Sequence, residues 1–72
     1  MPQQVDTNQL KKAEAMTTLA KELITQAIEK SAADPMLCEE ALKQASTEIA
    51  QAQTMVSQVQ SSLQSQQAQQ SN

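Results

Sequence analysis

Eight small or apolar residues in the second half of the chain recur at alternating steps of four and three, the spacing of a coiled-coil seam. They are Cys38, Leu42, Ala45, Ile49, Ala52, Val56, Val59 and Leu63. Bulky residues occupy every second position, and the positions between them begin with Cys38, Ala45 and Ala52. A stripe this narrow predicts a helix that packs closely against a second helix.

The composition favours helix along the whole chain. The 72 residues include no Gly, no aromatic residue and no His, and they are rich in Ala and Gln. These residue types support helices and give a sheet little to build with. A chain of this length makes at most one domain and buries too small a share of its surface to be very stable alone.

Local signals predict where the first helix begins. Asp6 is a candidate N-cap, and Gln9 follows it by three residues as in a capping box. Val5 and Leu10 have the spacing of a hydrophobic staple. We therefore predict an N-terminal extension over 1–5 and an amphipathic helix over 6–31.

The second helix is predicted to begin at Pro35. Proline disfavours helical geometry at Asp34 but suits the first position of a helix that Asp34 caps. The sequence thus predicts a turn over 32–34 and a helix over 35–63. Residues 64–72 are Gln, Ser, Ala and Asn, which predicts a disordered tail.

Folding the chain back at this turn brings together residues whose numbers sum to about 65. In that register Ala20 meets Ala45 and Leu23 meets Leu42, so small residues face small ones and large residues face large ones. The predicted fold is all-α, an antiparallel two-helix hairpin with an alanine-lined coiled coil. Its predicted seam comprises Ala13, Met16, Ala20, Leu23, Ala27, Cys38, Leu42, Ala45, Ile49 and Ala52.

Other apolar residues find no place in this seam. They are predicted to bind a partner: Leu10, Leu19, Ile24, Ile28, Leu37, Met55, Val59 and Leu63. A single two-helix seam stabilises a hairpin only marginally. We therefore expect dimerisation or a helical partner to complete the fold, and the sequence leaves open which of these occurs.

Several classes of function have no residues to support them. The net charge is -3 and neither Arg nor aromatic residues are present, which argues against nucleic acid as a partner. With one Cys and no His, the sequence predicts no internal disulfide, metal site or cofactor. The carboxylates of Glu14, Glu22, Glu39 and Glu40 are expected on solvated faces, so neither catalysis nor a small-molecule substrate is predicted. Cys38 is interpreted as a small apolar residue rather than a redox switch.

The sequence also predicts no contact with a membrane, because no apolar stretch approaches a membrane span. The first residues have neither a basic segment nor an apolar segment of a cleavable signal, so a cytoplasmic location is expected. Secretion by a route that reads no such signal stays open.

One stretch resembles a known family. Asp34-Pro35, followed by Ala41-Leu42-Lys43-Gln44, then Ser46-Thr47 and Ile49, resembles the turn and second helix of type III secretion needle subunits. Their co-chaperones resemble the predicted hairpin in architecture. The likeness covers under a third of the chain, and the uncharged Gln/Ser tail departs from the apolar, charged C-terminal helix end of needle subunits. It implies a helical hairpin that assembles with helical proteins.

These observations predict a small coiled-coil interaction module that acts as an adaptor, chaperone or assembly factor for another helical protein. The alternative is a structural subunit that self-assembles, either as a homodimeric four-helix bundle or as a needle-like polymer.

Overall fold

The protein is an all-α antiparallel hairpin of two helices, α1 over Thr7–Lys30 and α2 over Pro35–Gln70. The computed structural model describes residues 5–70, and the side chains of residues 5–66. The hairpin is a thin rod with extents of 60 × 15 × 11 Å. Of the predicted N-terminal extension, residues 1–4 lie outside the described residues, as do residues 71–72 of the predicted tail.

Both helices begin with the predicted caps. The Asp6 carboxylate accepts a hydrogen bond of 3.0 Å from the backbone N–H of Gln9. The Asp34 carboxylate accepts one of 3.2 Å from the N–H of Leu37. Each bond satisfies a backbone donor that has no partner within the helix, so these two residues fix where α1 and α2 begin.

The core of the hairpin consists mostly of alanine. Its buried residues are Ala13, Ala20, Leu23, Ala27, Ala41, Ala45, Ala52 and Val59. Ala20 and Ala45, paired by the sequence argument, form one buried cluster with Leu23. Small side chains let the two backbones approach closely along the rod. The alanine-lined contact between the helices is confirmed.

The predicted seam is wrong on α2 at its bulky positions. Leu42 and Ile49 are 49% and 46% exposed, whereas Leu23 and Ala45 are buried and form a cluster with Ala20. The residues that face α1 at these levels are Ala41, which is buried, and Glu48, which is half-buried. Ala45 and Ala52 belong to both stripes, and the gain in size is at Ala41, whose methyl group permits a closer approach than the side chain of Leu42.

Val59 is also corrected, because it is only 6% exposed and is therefore not a free contact for a partner. The amide of Gln9 donates a hydrogen bond to the side-chain oxygen of Gln58, so the first turn of α1 reaches that level of α2. These two residue numbers sum to 67, two more than the predicted register. Helix α1 therefore covers more of α2 than the sequence argument allowed.

Helix α2 continues beyond its predicted end. It was expected to end at residue 63 and to give way to a disordered tail, but it extends to Gln70. The segment contains neither Gly nor Pro, and Gln and Ala are good helix formers. The polar composition therefore leaves this segment without an apolar face to bury, but the segment is still helical.

Candidate interaction surface

One side of the hairpin carries apolar residues on both helices, at heptad spacing on α2 and two heptads apart on α1. We call this surface the apolar flank; it comprises Leu10 and Ile24 of α1 and Leu42, Ile49, Val56 and Leu63 of α2. The α2 residues follow one another at intervals of seven, which places them on one face of that helix. Ile24 and Ile49 line the same groove, so the stripes of α1 and α2 lie on the same side of the rod.

Most of these residues are exposed, because the contact between the two helices leaves them uncovered. Leu42, Ile49 and Val56 are each 46–49% exposed, Ile24 is 40% exposed, and Leu10 and Leu63 are half-buried. Ile28 is the most exposed of the neighbouring residues at 70%. Scattered surface leucines need no explanation, but apolar residues grouped on two adjacent helices make this side of the rod the candidate interaction surface.

The groove at the centre of the apolar flank is shallow and open. It has a volume of about 280 Å³ and is lined by Thr17, Ala20, Lys21, Ile24, Thr25 and Ile49. Thr25 donates its hydroxyl to the carbonyl of Lys21 at 3.0 Å, so this hydroxyl is already bonded within α1. The groove therefore offers methyl and methylene groups, bordered by the ammonium group of Lys21.

The opposite side of the hairpin, which we call the polar flank, has a different composition. Its heptad positions are Lys12, Leu19 and Gln26 of α1 and Leu37, Gln44, Gln51 and Gln58 of α2. Gln26, Leu37 and Gln44 line one groove there. Glutamine dominates this side, and its two leucines stand apart from each other.

The predicted partner-binding residues are divided between these surfaces. Leu10, Ile24 and Leu63 belong to the apolar flank and Ile28 adjoins it, whereas Leu19 and Leu37 belong to the polar flank. Met55 is half-buried between the helices, and Val59 is buried. The structure thus brings four of the eight predicted residues to one side of the rod. Their role in binding stays a prediction.

Leu42 and Ile49 are not among the predicted surface residues because the heptad pattern places them in the seam. Val56 belongs to the same pattern but is in neither the predicted seam nor the predicted contacts. The sequence contains a second stripe with alternating steps of four and three residues. It comprises Ala41, Ala45, Glu48, Ala52, Met55 and Val59. Its signal was hidden by Glu48, since a carboxylate is not expected in a seam. A half-buried glutamate is tolerated there because its long side chain can carry the carboxylate to solvent.

Charged groups lie mainly on the outer faces. Glu39 and Lys43 form an i to i+4 ion pair, with Nζ and Oε1 3.7 Å apart and both side chains exposed. Such an exposed pair contributes little to stability. Cys38 carries a free thiol and is half-buried at the level of the turn. These groups provide no concentrated charge that would select a strongly charged ligand.

No family model matches this chain, and neither a curated protein nor a solved structure is significantly similar to it. The resemblance to type III secretion needle subunits and their co-chaperones therefore stays a prediction. Neither helix, over the residues that the structure describes, combines the length and apolarity needed to cross a membrane. Within the same described part of the chain, no three carboxylate or thiol groups are clustered as metal ligands would be.

Proposed function

We propose that this protein is a small coiled-coil interaction module that binds helices through its apolar flank. In this role it acts as an adaptor, chaperone or assembly factor for another helical protein. The observation that supports the proposal is the half-exposed stripe of Leu42, Ile49 and Val56, which continues onto α1 through Ile24. An amphipathic helix recognises such a stripe through its own apolar residues at i, i+3, i+4 and i+7.

The construction of the core supports the same proposal. Alanine fills most of the seam, and the bulky side chains that would give a larger core lie outside it. Covering these side chains with a third or fourth helix would bury the apolar area that the hairpin leaves exposed. The hairpin therefore serves as half of a helical bundle.

Self-assembly is the second candidate function, and the even spacing of the apolar flank favours it. A stripe that repeats every seven residues on α2, with Leu10 and Ile24 beside it on α1, can pack against a copy of itself. A structural subunit and a helix-binding adaptor use the same contacts, so the identity of the bound helix distinguishes them.

The proposal is tested by recovering partners on the immobilised protein from an extract of the source cells. The double variant Leu42→Gln/Ile49→Gln should lose the recovered helical protein, because each substitution replaces an exposed apolar contact by an amide. The matched control is Gln44→Ala/Gln51→Ala, which alters two positions of the polar flank and should retain it.

The two variants must also be compared for helicity by circular dichroism, so that lost binding is not confused with unfolding. Equal recovery by both variants, with both folded, would contradict the apolar flank as the binding surface. Loss in the control alone would assign binding to the polar flank instead. Protein concentration needs a method other than absorbance at 280 nm, since the chain has neither Trp nor Tyr.

A further inference from the structure

We propose that a second copy of this chain covers the apolar flank in an antiparallel arrangement, with a two-fold axis that passes beside Thr17 and Ile49. The inference rests on the proposed function, because it names the helices that dock on this surface. It follows from the symmetry of the residue pattern and from the placement of two charges.

On each helix, three successive heptad positions of this side are symmetric about the middle one, and Leu63 lies beyond the symmetric set of α2. On α2, Leu42 and Val56 lie seven residues to either side of Ile49. On α1, Leu10 and Ile24 lie seven residues to either side of Thr17. Antiparallel packing about these centres places Leu42 against Val56 of the second copy, and Leu10 against its Ile24.

The two centres of symmetry lie at the same level of the rod. Thr17 and Ile49 line the same groove, although they belong to different helices. One two-fold axis through that groove therefore serves both helices at once. Such an isologous contact requires a surface that is complementary to itself, and the apolar flank meets this requirement in both of its stripes.

Charges on α1 select the antiparallel arrangement. Glu14 and Lys21 lie three and four residues to either side of Thr17, one heptad apart, on the edge of α1 next to the apolar flank. Both are exposed, and Lys21 lines the central groove. The two-fold axis brings Glu14 of each copy beside Lys21 of the other, which gives two intermolecular ion pairs.

The alternative arrangement has both turns at the same end and packs α1 of one copy against α2 of the other. There the residues next to Glu14 and Lys21 are uncharged ones of α2, such as Gln53 and Ser46. The apolar layers match in either arrangement, so the charges make the distinction. Opposite charges at equivalent positions fix register and orientation more than they add affinity.

The size of the surface predicts a weak dimer. From Leu42 to Val56 the symmetric part of the stripe spans roughly 20 Å at the rise of an α-helix. With a rod about 15 Å wide, the apolar contact covers on the order of 300 Å² per copy in projection, which is below the range of standard specific interfaces and fits a weak association. Association should therefore depend on concentration in the micromolar range or above.

The first test combines sedimentation equilibrium with charge reversal. Wild-type protein should show a monomer–dimer equilibrium, and Glu14→Lys or Lys21→Glu should each weaken it roughly tenfold, because every substitution acts twice across the axis. An equimolar mixture of the two variants should restore association, since lysines of one copy then face glutamates of the other. Glu22→Lys, on the outer face of α1, is the matched control and should leave the equilibrium unchanged.

The second test places a cysteine on the axis. In a Cys38→Ser background, Ile49→Cys should form a covalent homodimer on mild oxidation, because the two copies of residue 49 face each other. Gln51→Cys on the polar flank is the control and should stay monomeric after the same treatment. Both substitutions replace exposed side chains, so neither should prevent folding.

The outcomes separate this inference from the proposed function. A monomer at every concentration up to about 1 mM, or a dimer that cross-links through residue 51 instead of 49, would overturn the antiparallel dimer. Failure of the mixed charge variants to associate would do the same. If the monomer nevertheless loses its helical partner on Leu42→Gln/Ile49→Gln, the proposed function stands while this inference fails.

Discussion

The apolar flank and the polar flank occupy equivalent positions on either side of one seam, yet they bear different residues. At the same spacing of seven, the α2 positions read Leu42, Ile49 and Val56 on one side and Gln44, Gln51 and Gln58 on the other. A hairpin that needed only to stay in water would have two polar flanks. The asymmetry concentrates apolar residues on the apolar flank, although Leu19 and Leu37 of the polar flank are also exposed, at 42% and 49%.

The same difference explains the composition of the core. Alanine in the seam brings the helices together, so the side chains that flank it on α1 and α2 converge into one surface. Wider helix separation would split the apolar flank into two stripes. The alanine residues of the seam therefore account both for the small core and for the joining of the two apolar stripes into one surface.

The largest expected effect comes from enlarging the seam. Ala45→Leu forces three extra carbon atoms between α2 and the buried Ala20 and Leu23, and should lower the free energy of unfolding by about 1–3 kcal/mol. Urea unfolding followed by circular dichroism measures it. The control is Ala50→Leu, at an exposed position of α2. Equal free energies of unfolding for the two variants would contradict a close contact between α1 and α2 at Ala45.

The helices and the alanine seam could be predicted from the sequence because caps, proline and small residues act locally or at fixed spacing. Asp6 and Asp34 each cap the helix that follows, as predicted. The rotation of α2 could not be predicted in the same way. Two adjacent stripes, one through Ala41 and one through Leu42, both met the spacing rule, and only packing in three dimensions chooses between them.

The C-terminal end of α2 also differs from the prediction, because the helix extends to Gln70. The loss of apolar residues after Leu63 was interpreted as the end of the helix, but amphipathicity reports burial and not helicity. The candidate surface was affected in a similar way. Its residues Leu10, Ile24 and Leu63 are among the predicted contacts, whereas Leu42 and Ile49 are predicted to lie in the seam and are exposed instead.

The next largest effect concerns the turn, which fixes where α2 begins relative to α1. Asp34→Ala removes the acceptor of the Leu37 N–H and should cost about 1 kcal/mol. Asp34→Asn keeps an acceptor and should cost less. Thermal unfolding of the two variants at equal concentration makes the comparison. Equal loss in both would show that the cap contributes nothing to the position of α2.

Replacing one residue of the apolar flank should affect assembly more than the hairpin itself. Ile49 is already half-exposed, so Ile49→Gln should change the free energy of unfolding of dilute monomer by up to about 1 kcal/mol. The concentration dependence of the unfolding midpoint should disappear in this variant. Gln51→Ala is the polar-flank control, and it should retain whatever concentration dependence the wild type has.

The smallest effect is expected on the polar flank. Gln58→Ala removes the acceptor of the Gln9 amide, but both side chains reach water and regain hydrogen bonds there. The loss should therefore be a few tenths of a kcal/mol, below the usual net value of about 1 kcal/mol for a hydrogen bond. Urea unfolding at low protein concentration measures it. A loss as large as that of Ala45→Leu would mean that glutamine contacts, rather than the alanine seam, hold the two helices together at the end of the rod opposite the turn. The polar flank would then stabilise the hairpin, and the apolar flank would not.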